Sequence, residues 1–169
     1  SVTYMAATGV SAAATVRVGF EYGRKDKQDL RRAGYTAIGL TLILMGASAL
    51  LFTLFHTFLP SIMTNDPEVV HIASLLLCMV AFFQLSDGVQ VVSMGALRGM
   101  GDVVIPSSVA FSAYWLIGLP LGWVLAFKMG WEVYGIWVGL TTGLVFASIV
   151  LLLRFIKKSK SVVFEEVMN

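Results

Sequence analysis

The chain has 169 residues, of which 57% are hydrophobic and only 13% charged, and its mean hydropathy is +0.83. A water-soluble domain of this size does not carry so much apolar surface, so the composition excludes that class and points to a polytopic membrane protein. The formal net charge is +2, and a single cysteine, Cys78, excludes an intrachain disulfide framework and any multi-cysteine metal site.

The chain opens Ser-Val-Thr-Tyr, with neither an initiator Met nor a basic segment ahead of an apolar one, which reads as a fragment rather than a signal peptide. Five apolar segments then follow: residues 2–20, 35–59, 72–97, 104–127 and 133–156. Each is long enough to cross a hydrocarbon core about 30 Å thick, where the backbone must satisfy its own hydrogen bonds. The expected fold is therefore all-α, a polytopic transmembrane bundle with five spanning helices. Residues 1–160 form the membrane part and residues 161–169 a cytoplasmic tail.

The first connection carries Arg24, Lys25, Lys27, Arg31 and Arg32, with Arg17 just ahead of it. After the second segment come His56 and His71, which flank a loop without an acidic cluster or nucleophile, so no enzyme is expected. Asp66-Pro67-Glu68 supplies an N-cap, a proline at N1 and a first-turn acid, so the third helix should begin there. Its far end, Arg98-Gly99-Met100-Gly101-Asp102, predicts a tight turn in which the glycines allow positive φ. In the fourth segment Gly118 and Gly122 bracket Pro120, which predicts a bend. The fifth begins with Trp131 and Tyr134, interfacial anchors, and carries Gly135, Gly139 and Gly143 at spacings that let two helices approach closely. The tail adds Arg154, Lys157, Lys158 and Lys160. Of the 12 basic residues only Lys128 then lies in the opposite connections, and the positive-inside rule places the tail and the basic loops in the cytoplasm.

Asp87 stands out. It lies deep in the third apolar segment, where an ionised carboxylate costs about 2.5–3.5 kcal/mol by insertion scales. Gln84, Phe83, Gln90 and Met94 share its helical face at i−3, i−4, i+3 and i+7, a polar, aromatic and sulfur-bearing stripe suited to a hydrated cavity. A mid-membrane carboxylate is neutralised by H⁺, by Na⁺ or by a cationic organic molecule, and competition among them amounts to antiport. Phe83 and, from the fourth segment, Tyr114 would offer aromatic faces to an organic cation, worth about 0.5–2 kcal/mol each.

Several strings carry a family resemblance. Thr15-Val-Arg-Val-Gly19, continuing through Gly23 and Asp26 to Arg31 and Arg32, resembles the segment between the eighth and ninth helices of multidrug and toxic-compound extrusion (MATE) transporters. Gln84-Leu-Ser-Asp87-Gly-Val-Gln90, Gly95-Ala-Leu-Arg98-Gly99, Gly118-Leu-Pro120-Leu-Gly122 and Tyr134-Gly-Ile-Trp137-Val-Gly139 resemble, in order, the tenth to twelfth helices of that family, and Asp87 in its setting resembles the NorM-type branch. The resemblance implies a C-terminal-lobe fragment, about helices 8 to 12, of a twelve-helix exporter driven by Na⁺ or H⁺. It implies a cation and substrate site at Asp87, with Gln84, Gln90, Phe83 and Tyr114 around it, Asp87 being the candidate Na⁺ ligand, and an acidic residue on the seventh helix completing it. No permanently bound cofactor is expected, only the coupling Na⁺ or H⁺. The expected partners are membrane lipids, cationic small-molecule drugs, and the seventh helix and N-terminal lobe of the same transporter, with no nucleic acid. The expected location is a bacterial cytoplasmic (inner) membrane. A lipid-linked oligosaccharide flippase of the wider superfamily fits less well, because little basic charge lies within the membrane segments to meet a diphosphate. A non-transporting membrane scaffold is the remaining alternative.

Overall fold

The structure, a computed structural model, describes residues 2–162, so most of the expected tail lies outside the described residues. Among the described residues seven α-helices follow in order: α1 (Val2–Gly23), α2 (Lys27–Leu54), the short α3 (Phe58–Met63), α4 (Pro67–Gly99), α5 (Val104–Ser112), α6 (Leu119–Trp123) and α7 (Glu132–Ser161). A π-helical stretch, Ala113–Gly118, joins α5 to α6, and a second, Val124–Lys128, extends α6, making one continuous rod. No strand occurs among the described residues. Four rods, α2, α4, Val104–Lys128 and α7, are long and apolar enough to cross a membrane. The fifth, α1, is 22 residues and so about 33 Å long. Its run of small and polar residues, with Arg17 and Glu21, leaves it less apolar than the other four.

Local chemistry sets where the rods begin. Asp26 Oδ1 accepts hydrogen bonds from the Gln28 and Asp29 amides, both 3.0 Å, so α2 starts at Lys27, ahead of its apolar run. Asp66 Oδ1 accepts from the Glu68 amide at 3.0 Å, and with Pro67 in the first turn it opens α4 where the sequence places it. At the other end of α4 only Gly101 takes the expected positive φ, +74°. Gly99 serves a different purpose: a Cβ there would stand 2.7 Å from the Thr15 carbonyl oxygen and 2.9 Å from the Gly19 amide nitrogen.

Helix α4 is the hub, packed against α1, α2 and α7. Lipid supplies no hydrophobic force between helices, so the contacts rest on close backbones and interhelical hydrogen bonds. Ser11 donates to the Val91 carbonyl at 2.8 Å and Thr15 to the Gly95 carbonyl at 2.9 Å, which joins α1 to α4. Gly88 receives Thr41 and Met45 from α2. On the last pair of rods Gly118 and Gly122 meet Gly135, Gly139 and Gly143 backbone to backbone, as the spacing predicts, and all five are buried. Large apolar side chains such as Ile43, Leu50, Phe111 and Leu116 cover the outer surface, as a lipid-facing perimeter requires.

The dense part of the core, with Val18, Leu30, Leu97, Leu151 and Phe155 at 0% exposure, sits at one end of the bundle. The same end gathers the basic segments: Gly34 leaves room for the Phe155 ring, Tyr35 meets that ring edge-on at 6.0 Å, and Asp102 binds α7. Arg154 donates to Asp102 Oδ2 at 2.7 Å and the Lys158 ammonium lies 3.4 Å from the same oxygen. Burial alone would push the Asp102 carboxyl up, but the hydrogen bond from Arg154 and the charges of Lys158 and Arg154 outweigh it and hold the group below its ordinary value of 3.8. A depressed carboxyl contributes its stability in full above that ordinary value and loses it as pH falls through the depressed one. Asp102→Asn should therefore lower the thermal midpoint at pH 7, by an amount equivalent to about 1–2 kcal/mol once the partial exposure of Arg154 and Lys158 is discounted. The difference from wild type should shrink as the pH falls below the ordinary carboxylate value of 3.8, which melts in detergent at neutral and acid pH will check.

Candidate functional site

Asp87 sits twelve residues before the end of α4 at Gly99, about 18 Å along the axis, and twenty after its start at Pro67, about 30 Å. On a 3.6-residue helix its direction falls between two faces. One, marked by Gln84, Val91 and Gly95, packs on α1 and α2; the other, marked by Phe83 and Gln90, turns toward α7 and the rod Val104–Lys128. The carboxylate is half-buried and has no hydrogen bond or ion pair among the described residues. Arg17 of α1 pairs with Glu21 at 3.4 Å.

The other candidate residues divide. Gln90 is buried and its Oε1 accepts from the Tyr114 hydroxyl at 3.1 Å, so the two come together and fix the fourth rod beside α4. Tyr114 also lies within electrostatic range of Asp87. Phe83 packs edge-to-face against Trp137 of α7, 5.9 Å between centroids, which adds a second ring to the wall on that side. Gln84 turns away: its amide donates to the Met45 thioether of α2 at 3.5 Å, and its Oε1 is buried without a partner. The structure thus groups Asp87, Gln90, Tyr114, Phe83 and Trp137, with Gln84 on the neighbouring face.

Chemically, this arrangement is a carboxylate that no cation among the described residues neutralises, next to amide and phenol oxygens and two aromatic rings. A hard cation such as Na⁺ takes oxygen ligands, a proton takes one carboxylate oxygen, and an organic cation takes both charge and ring face. Tyr114 occupies the start of the π-helical stretch Ala113–Gly118, where the widened turn changes which way successive side chains point. Sequence reading missed three further features at the basic end. Glu21 is fully buried between Arg17 and Arg24, its carboxylate oxygens within 4.8 Å of those of Asp26 and Asp29; Asp102 clasps α7; and Gly95 and Gly99 seat Ser11, Thr15 and Gly19. Only the last had a signal, the four-residue spacing of small residues on both helices.

Comparison with known proteins gives one consistent picture. The MatE family model matches residues 1–124. A protein of Rhodopseudomonas palustris described as a probable multidrug resistance protein, NorM, is 40% identical over 159 residues, 92% of this chain and 34% of that protein. Proteins of Xanthomonas campestris and Bacillus cereus with the same description are 41% and 36% identical, over 93% and 98% of this chain and 34% and 36% of theirs. The chain thus spans about a third of the length of the curated relatives it matches. Among solved structures, a eukaryotic MATE transporter is similar with a TM-score of 0.83 at 24% identity, over 94% of this chain and 36% of that one. An inward-facing MATE family transporter of the MOP superfamily gives 0.82 at 17%, over 95% and 37%. At these identities the two structures show the fold.

Proposed function

We propose, from the premise that this chain belongs to the MatE family, that it forms the C-terminal lobe of a secondary active exporter. The exporter expels cationic organic compounds in exchange for Na⁺ or H⁺ across a bacterial inner membrane, with the basic loops in the cytoplasm. The observation that carries the reading is Asp87, a carboxylate in the interior of a membrane-length helix with no ion pair among the described residues. Such a group is costly unless a mobile cation neutralises it, and a site that one cation must leave before another enters couples two fluxes. Gln90 and Tyr114 orient the wall beside it, and Phe83 and Trp137 offer ring faces. An acidic residue on the helix preceding this chain would complete the site. The description of the relatives as probable multidrug resistance proteins agrees with a cavity that selects by charge and aromatic contact.

The test is transport by the complete protein in proteoliposomes loaded with a fluorescent organic cation. Imposing an inward Na⁺ or proton gradient should accelerate efflux severalfold, and an ionophore that collapses the gradient should abolish the increase. Efflux indifferent to both gradients would remove the antiport reading.

A further inference from the structure

The first turns of α2 hold more positive charge than the fold itself neutralises. Lys27, Gln28, Arg31, Arg32 and Tyr35 line a crevice of about 490 Å³ at the basic end of the bundle. The N-terminus of a helix carries the positive end of its dipole, where carboxylates are favoured and cations disfavoured. Here Lys27 opens the helix and Arg31 and Arg32 follow in the second turn, against Asp29 in the first turn and Asp26, whose carboxylate is engaged in capping the amides of Gln28 and Asp29. Asp29 pairs loosely with Arg32 at 3.8 Å, while Lys27 and Arg31 have no carboxylate partner among the described residues. Arg31 is half-buried, its guanidinium over the Tyr35 ring at 5.8 Å, and its Nε is shielded from water without a hydrogen-bond acceptor. A guanidinium in that state calls for an anion with several acceptor oxygens.

The position of the crevice selects the anion. Tyr35 is 39% exposed at the boundary where polar residues give way to the lipid-facing side chains Leu40, Ile43 and Leu44, about 7–14 Å further along the axis. A phosphate lodged among Lys27, Arg31 and Arg32 is therefore at headgroup depth, and acyl chains attached to it run down the exposed apolar side of α2. We infer that this crevice is a headgroup site for an anionic phospholipid of the leaflet that faces the basic loops. Arg31 and Arg32 grip the phosphate, Lys27 adds charge, and Gln28 meets the polar substituent. The inference is independent of the transport reading, because it uses no residue near Asp87.

Native mass spectrometry of the complete protein, equilibrated with equal amounts of phosphatidylglycerol and phosphatidylcholine, tests it. Wild type should retain phosphatidylglycerol preferentially, and K27Q/R31Q/R32Q should retain about tenfold less of it with phosphatidylcholine unchanged. The control K25Q/K157Q/K160Q removes three cations of the same membrane face outside the crevice and should match wild type. Equal loss in both triple variants would show diffuse surface attraction and overturn the site, as would a wild type without preference. Displacement of the lipid by millimolar glycerol phosphate would overturn the lipid assignment in favour of a soluble phosphate. R31K/R32K keeps the charge and loses only the planar fork, so it decides the matter even if the triple variant fails to fold. Its phosphatidylglycerol retention should fall about threefold, and wild-type retention would overturn the role given to the arginines.

Discussion

Asp87→Asn in the complete transporter is expected to leave folding intact and to lower ion-coupled export by one to two orders of magnitude, the usual span of a coupling free energy of about 1–3 kcal/mol. Asparagine keeps the shape of the side chain and removes the titratable charge. Because Asp87 has no ion pair or hydrogen bond among the described residues, none of them loses a partner in the change. Removing an ionised group from mid-membrane also relieves a cost of about 2.5–3.5 kcal/mol, so the thermal midpoint should stay level or rise. A structural aspartate would behave in the opposite way, with stability falling and coupling preserved. A binding measurement separates the two further: raising Na⁺ or lowering pH should release a bound organic cation from wild type and do so far less from the variant, since cations that compete for one carboxylate must weaken each other reciprocally. Wild-type efflux with unchanged ion dependence in Asp87→Asn would place the coupling site elsewhere.

The second large effect concerns packing. Gly139→Leu should prevent accumulation of folded protein. A Cβ at that position collides with the backbone of Gly122 itself and stands 2.7 Å from the Gly118 carbonyl oxygen. Side chains can rotate away from an intruder; a helix backbone has to move as a whole. Overpacking of ordinary cores costs about 1–3 kcal/mol, and a bulky group wedged between two backbones lies at or above the top of that range. Gly46→Ala is the matched control, because nothing lies within 4 Å of the added atom, and there the helix should gain slightly from alanine's higher propensity, by about 1 kcal/mol at most. Yield of monodisperse protein and thermal midpoints in one detergent compare the pair. Comparable yields would mean that the last two rods part easily and that the seam does not hold them.

What could be read in the sequence divides along a physical line. Features written within a few neighbouring residues were legible: the Asp66-Pro67-Glu68 helix start, the apolar rods, the glycines of the last pair, and Asp87 as a charge in apolar surroundings. Features that depend on which rod lies beside which were not. Gln84 and Gln90 are placed alike around Asp87 by helical rotation, yet α2 claims one through Met45 and Tyr114 claims the other. Asp102 reads as a turn residue because its partner Arg154 is 52 positions away. Glu21 looks like the polar boundary of the first segment, whereas the fold buries it completely. Where the sequence predicts a bend at Pro120, the structure shows π-helical stretches before and after α6, a redistribution of backbone hydrogen bonds that the residue pattern does not announce.

The bare-backbone seam between Val104–Lys128 and α7 also bears on biogenesis. The connection between the two rods is short, 129–131, with Gly130 at a positive φ of +71° turning the chain back. The seam's contacts, from Ala113 to Ala126 on one side and Gly135 to Gly143 on the other, join residues close in sequence and need no third helix. Contacts of that kind form early, because little chain has to be closed into a loop to make them. The two rods are thus equipped to pair as a hairpin on entering the bilayer and to dock on α4 as a preassembled unit, with the Asp102 clasp fastening the unit at its basic end.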